Sequence, residues 1–437
     1  MSRPSVCTGI VLAVLLGIAA TSSTAAPSQP PPISNRPAAT LLLPYFEVDL
    51  DNPQGQTTLF SINNASATAV MAHVVLWSDM GIPVFGFNLY LTGYDMHAIN
   101  LRDIFNGMAP LTASAGQDPA NTISFKGPIS QDINFASCTG ILPAPSIPAV
   151  YLPYLRAALT GNPSSFHNGQ CVARNHNTPS LARGYVTVNT TTQCSLMFPS
   201  DPGYFSGVAS YQNVLWGDYQ YINPSQELAY GEPLVQIVSS NVDADLITPG
   251  KYTFWGRFVA WTAADRREPL STNFAAPFVA AKDFKTVAKA RRRNVLPAST
   301  EVIVWRDPKV ASVNSFACNT KPGWFPLVQE HLRIFDEQEQ TEVPNFGSSP
   351  PFPGATQRVT MATSALPTTF YSGWVFLNLN QTNVQAGANP PSDPAASQAW
   401  VTVLHRVLQG PNGGRYEVGF RATRLDSARA ASHLIIP

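Results

Sequence analysis

Proline limits what this chain can become more than any other residue. Thirty-nine of its 437 residues are Pro, and they recur along most of its length. Each one fixes φ and removes a backbone donor, so long helices cannot run through them. A helical bundle or coiled coil is therefore excluded. Between the prolines the apolar pattern has period two. Phe46, Val48 and Leu50 alternate with Glu47, Asp49 and Asp51, as in a half-buried strand. Strand-like runs follow at 57–64, 70–77, 84–91 and 97–101, and then at 184–189, 233–239 and 251–261. More appear at 301–305, 331–335, 357–361 and 373–379, with a hairpin of 400–408 and 416–423 turning through 410–414. Strands at such spacing, with turn residues between them, predict a β-sandwich or barrel.

The stretch at 106–183 breaks this rhythm with Pro, Ser, Asn and Gly, apart from a helical piece near Leu155 to Thr160. Phe278 to Arg293 reads as the one amphipathic helix, with Phe278, Ala281, Phe284 and Ala288 at helical spacing. The 8 Trp, 14 Tyr and 23 Phe exclude wholesale disorder.

The first residues set the compartment. Arg3 is the only charge before an apolar run at 9–20, and Ser23-Thr24-Ala25 places small residues where a signal peptidase needs them. The expectation is a signal peptide over 1–25, a Pro-rich linker over 26–39, and a mature protein that is secreted or periplasmic. Cys7 precedes the apolar run, so it is no lipoprotein anchor. No later apolar run is long enough for a transmembrane helix. Cys138, Cys171, Cys194 and Cys318 remain, an even number that in an oxidising space predicts two disulfides. Of three connectivities, we expect Cys138–Cys171 to close the irregular stretch and Cys194–Cys318 to tie the halves together. On this reading residues 40–225 form an N-terminal sandwich carrying the insertion at 106–183. Residues 226–437 form a C-terminal sandwich that includes helix 278–293.

Two short patterns occur twice. Gly184-Tyr-Val-Thr-Val-Asn189 matches Gly373-Trp-Val-Phe-Leu-Asn378, and His73-Val-Val-Leu-Trp matches His331-Leu-Arg-Ile-Phe. A duplicated sandwich with unequal insertions would produce this, and so would two ordinary strand patterns. The run LLLPYFEVDLDNPQGQTTLFSINNAS, with AHVVLWSDMG, resembles the opening of a group of uncharacterised secreted bacterial proteins. The strand–Asn-turn–strand rhythm is similar to immunoglobulin-like modules on bacterial surfaces. The resemblance implies an all-β chain of tandem immunoglobulin-like β-sandwiches, and it carries no catalytic residues with it.

Chemistry is sparse. No Gly-x-Ser-x-Gly elbow occurs, and Gly203-Tyr-Phe-Ser-Gly207 has its serine one place late. Phosphate loops, dinucleotide fingerprints, HExxH and CxxC are absent. His167, Cys171 and His176 lie close enough in sequence for zinc or copper, but the expected state of Cys171 is a disulfide. Alternation places Glu47, Asp49 and Asp51 on one strand face, a set of hard oxygens suited to calcium or to a solvated face. Asn241-Val-Asp243-Ala-Asp245 begins like an EF-hand loop but has Leu246 at the required Gly.

Lys282, Lys285, Lys289, Arg291, Arg292 and Arg293 concentrate positive charge, an anion-binding stripe for a polysaccharide, cell-surface component or lipid headgroup. Tyr219, Tyr221, Trp324 and Trp374 would serve as a sugar-stacking platform if exposed. Lys plus Arg balance Asp plus Glu at 27 each, so global charge argues neither for nucleic acid nor for an anionic membrane, and no nucleic-acid partner is expected. The expected function is non-enzymatic binding or surface association, directed at an anionic polymer or glycan. The alternative is an extracytoplasmic hydrolase acting on carbohydrate or ester.

Overall fold

In a computed structural model the described residues are 36–112, 138, 141–142, 146–240, 253–259, 264–279, 298–311, 313–344, 350–361, 370, 372–381, 397–407 and 416–425. The protein is mostly β, built from antiparallel sheets with few helices. The first unit contains β1 (Thr40–Asp49), β2 (Thr57–Asn64), β3 (Val70–Ser78), β4 (Pro83–Leu91), β5 (Met96–Asn100) and β6 (Leu181–Thr191). It continues with the two-residue β7 (Leu215–Trp216), then β8 (Asp218–Asn223), β9 (Leu228–Pro233) and β10 (Val235–Ile237). The second contains β11 (Asn273–Val279), β12 (Ala298–Arg306), β13 (Gln329–Asp336), β14 (Thr341–Glu342), β15 (Thr356–Thr360) and β16 (Ser372–Gln381). Its last strands are β17 (Ala399–Val407), β18 (Tyr416–Arg421) and β19 (Thr423–Arg424).

The two units have the same topology. The first unit's sheets run β10-β1-β6-β3-β4 and β5-β2-β8-β9, with β7 added to β2. The second unit's run β19-β11-β16-β13-β14 and β15-β12-β17-β18. With β7 set aside, every strand corresponds in chain order, β1 to β11 and so on to β10 and β19.

The registers agree as well. His73 lies opposite Asn189 and Trp77 opposite Tyr185; His331 lies opposite Asn378 and Phe335 opposite Trp374. Phe46 faces Gly184, and Phe278 faces Gly373. The echo in the sequence is therefore a structural repeat. Its glycines have a physical cause. A Cβ at Gly184 would overlap the Trp77 carbonyl, and one at Gly373 would overlap the Phe335 carbonyl.

Period-two patterning buries one face of each strand. Phe274, Ala276, Phe278, Val302, Val304, Val375, Leu377, Val401 and Val403 share the second unit's core. The first unit's core holds Leu41, Leu43, Phe60, Ile62, Val74, Leu76, Val186 and Val188, and Ile303 and Leu404 of the second unit join it. A third cluster, with Trp77, Tyr185, Trp255, Trp305 and Trp400, also spans both units. The outer face of the β15-β12-β17-β18 sheet is thus welded to the first unit.

Several expectations change. The expected strand at 251–261 is instead irregular over its described residues, with a helical turn at Gly256–Val259. Phe278 does not open a helix; it lies in β11, while 280–297 and all six residues of the basic stripe fall outside the described residues. Ala38 and Ala39, placed in the linker, are buried. The β8–β9 hairpin crosses position 225 and β10 pairs with β1, so the first unit extends beyond that residue. The short helix in the insertion spans Leu152–Thr160, with proline in its first turn and Gly161 in the left-handed region at its end.

Cys138, Cys171, Cys194 and Cys318 are all paired, but the connectivity is Cys138–Cys194 and Cys171–Cys318, which corrects the expected pairing. The cause is strand β6. Its 11 residues extend about 37 Å and carry Cys194 to the far end of the sheet from Cys171. At that near end Cys171 exchanges backbone bonds with Phe316 at 2.8 and 2.9 Å, which brings it beside Cys318.

Candidate functional site

Three groups of side chains meet where the units join. The first comes from β1 and β6. Between Leu43 and Phe46 the β1 register shifts, because Pro44 offers no N–H and one extra residue enters the strand. Within this bulge lies Tyr45, whose hydroxyl donates to Glu47 Oε2 at 2.7 Å. Arg183, opposite Glu47 on β6, donates from Nε to the same oxygen at 2.8 Å.

The second group comes from four adjacent strands of the second unit. Arg358 donates from Nε to Glu301 and from Nη2 to Glu417 at 3.1 Å. Arg406 donates to Glu301 at 2.9 Å and to Glu417 at 3.0 Å. Two guanidinium groups and two carboxylates therefore alternate in a closed ring.

The third group is built on Asp79, buried just after β3. It accepts from Arg174 Nε and N at 3.0 Å each, and His176 Nε2 lies 2.8 Å from Oδ2. Its backbone carbonyl accepts from Ala355 N of the second unit at 2.9 Å. One residue thus anchors the cleft wall and the unit junction together.

From these groups Tyr45, Glu47, Arg183, Glu301, Arg358, Arg406, Arg174 and His176 line a cleft of about 820 Å³, with Asn52 and Gln56 from the β1–β2 turn and Ser225 and Gln226 after β8. Asp79 and Glu417 hold the lining arginines from behind. The volume is that of a small-molecule site. Burial pushes the Glu47 carboxyl up, but the Arg183 charge and the hydrogen bonds from Arg183 and Tyr45 outweigh it and hold the carboxyl below its usual range. Burial likewise opposes ionisation of Asp79, and the bonds and charges of His176 and Arg174 reverse it. Both carboxylates stay ionised. Burial, reinforced by Glu47, raises Tyr45 well above an ordinary phenol.

The residues singled out in the sequence that fall among the described ones are dispersed. Glu47, Asp49 and Asp51 are not gathered as one ligand set. Glu47 is held by Arg183, Asp49 accepts from the backbone of Asp51 and Asn52, and Asp51 lies beyond β1, 72% exposed, 3.7 Å from Arg156. Among the described residues no three His, Cys, Asp or Glu come together for a metal ion. His167, Cys171 and His176 also part: Cys171 is oxidised, His167 packs on Tyr154, and His176 serves Asp79. Tyr219, Tyr221 and Trp324 are buried and form no platform, while Trp374 is half-buried and stacked on Phe335. Asn241 to Asp245 lie outside the described residues.

Apart from Glu47 and His176, the cleft's main residues escaped sequence reading. Arg183 is 136 positions from Glu47 and Arg406 is 105 from Glu301, so no local motif joins them. The signal that existed was scarcity. Charged residues make up only 12% of the chain, which makes charge within strands informative.

No family model, curated protein or solved structure matches this chain. Its own geometry must carry the functional reading. Among the described residues no helix is long and apolar enough to cross a membrane.

Proposed function

We propose that the protein acts outside the cytoplasm as a binding protein whose inter-unit cleft holds a carbohydrate. The observation that carries this reading is the ion-pair lattice lining the cleft. Arg183, Arg358, Arg406 and Arg174 each already face a carboxylate, so the surface is dense in oriented donors and acceptors but close to neutral. Such a surface favours a polyol, whose hydroxyls both give and accept hydrogen bonds, over a highly charged polymer. The fixed pairs lose little freedom on binding.

The rival hydrolase reading needs a carboxyl that stays protonated to act as general acid. Glu47 is shifted in the opposite direction, which favours binding over glycoside hydrolysis. Two disulfides suit an oxidising compartment and support export after cleavage of residues 1–25. The pairing of second with fifth and third with sixth strands in opposite sheets supports immunoglobulin-like kinship. The first strand, however, takes the place beside the sixth that the last strand holds in those modules.

The test is a glycan-array screen of residues 26–437 with intact disulfides, followed by calorimetry on the hits. Replacing the pair together, Glu47→Gln with Arg183→Gln, keeps side-chain size while removing both charges. Binding should fall at least tenfold with the melting temperature nearly unchanged. A variant that binds as the wild type does moves the ligand elsewhere. Turnover of chromogenic glycosides or esters by the wild type would favour the hydrolase.

A further inference from the structure

The repeat leaves two exposed surfaces that match an interface already formed inside the chain. Within the molecule, the second unit docks through the outer face of its β15-β12-β17-β18 sheet. Trp305 stands edge-on to Tyr185 at 5.9 Å, and Trp400, opposite Trp305 in register, is only 4% exposed. Gly419 leaves room for Tyr230 of the first unit, whose ring a Cβ there would strike.

Strand correspondence carries these positions onto the first unit. Trp305 and Trp400 become Asn63 and Trp216, opposite one another on β2 and β7, and Trp216 is 44% exposed. Gly419, opposite Leu404, becomes Gly231, opposite Gln220. Met96, opposite Asn63 on β5, is 61% exposed. Asn63 itself is buried at 4% exposure, so Trp216 and Met96 are the open apolar positions on the face that corresponds to the second unit's docking face.

The receiving surface is duplicated too. In the first unit Trp77 and Tyr185 stack at 5.6 Å and receive Trp305. In the second, Phe335 and Trp374 stack at 4.3 Å in the same register, and both are half-exposed. Tyr230, which enters over Gly419, corresponds to Val418, 61% exposed. A docking face with Trp216 and Met96 exposed and a receiving end with Phe335, Trp374 and Val418 exposed in part or in full are therefore both accessible, at opposite units.

We propose that these surfaces bind one another between copies of this chain. The Trp216–Gly231–Met96 face of one molecule docks on the Phe335–Trp374–Val418 end of the next, repeating the contact between units. Two different surfaces meet, so the association is head-to-tail and extends as a filament or closes as a ring. It does not depend on the sugar reading of the cleft.

Sedimentation equilibrium of residues 26–437 across a concentration series tests this, with Trp216→Asp and Trp374→Asp as variants. The wild-type average mass should climb past that of a dimer as concentration rises. Each variant alone should stay monomeric with an unchanged circular dichroism spectrum. Mixed in equal amounts, the two should form a dimer and nothing larger, since each keeps one competent surface. If Trp374→Asp fails to fold, Val418→Glu replaces it. A wild type that stays monomeric at several hundred micromolar, or stops at a dimer, overturns the proposal. So does a Trp216→Asp protein that assembles like the wild type, or a mixture that remains monomeric.

Discussion

His73 shows how far a single side chain can set the protein's response to pH. It sits on β3 with no exposure, its Nδ1 3.0 Å from Asn88 Oδ1. Among the described residues its Nε2 has no partner. Burial lowers its pKa to about 4, against a smaller upward pull from Asn88. A depressed folded-state pKa means that the unfolded chain binds the proton more readily. The stability is therefore complete above the unfolded value near 6.5 and is lost as pH falls from there toward 4. The loss is on the order of 3 kcal/mol. Melting temperature should fall across that window, and His73→Gln should flatten the slope. Glu47 and Asp79, also depressed, act lower: their contribution is present above about pH 4 and fades below it.

At the scale of elements, the strands of the two units are held by the same device. Gly184 and Gly373 each let a facing strand pass where a side chain would strike its carbonyl. Gly184→Ala and Gly373→Ala should each lower stability by roughly 1–3 kcal/mol through overpacking, read from urea unfolding. If the units unfold separately, each substitution should move only its own transition. The Cys171–Cys318 bridge joins elements 147 residues apart. Replacing both cysteines by Ala should lower stability by about 2–5 kcal/mol, because an unfolded chain freed of so long a loop gains the most entropy. Removal of Cys138–Cys194, a separation of 56, should cost somewhat less on the same grounds. Thermal scans of the two double variants, side by side, test the ranking.

The molecule as a whole is one topology used twice, with the copies fused by their dissimilar faces. The junction places Ile303 and Leu404 in a neighbour's core and leaves a polar cleft beside them. Interior and site therefore arise from one act of docking. The proposed export is tested at this scale as well: N-terminal sequencing of the mature protein should begin at Ala26, and a retained Met1 would refute the signal peptide.

Much of the β-architecture was legible because strand formation is local. Thr57–Asn64 and Gly373–Leu379 declare themselves by alternation and bounding turns, and the observed strands agree within a few residues. The helix at Leu152–Thr160 is legible for the same reason, with Pro153 at its start and Gly161 at its end. The duplicated Gly–aromatic motif carried the repeat, since each glycine answers a steric demand that any copy of this sheet must meet. What the residues could not disclose was pairing across long separations. Cys138 finds Cys194 rather than Cys171 because β6 spans the sheet between them. Alternation assigns Glu47 to a calcium-binding or solvated face, because the Arg183 that holds it lies 136 positions away. Trp400 and Trp216 occupy matching strand positions, yet one is buried and the other open. Alternation determines which way a side chain points from its own strand; only docking of one unit on another decides whether that direction leads to water.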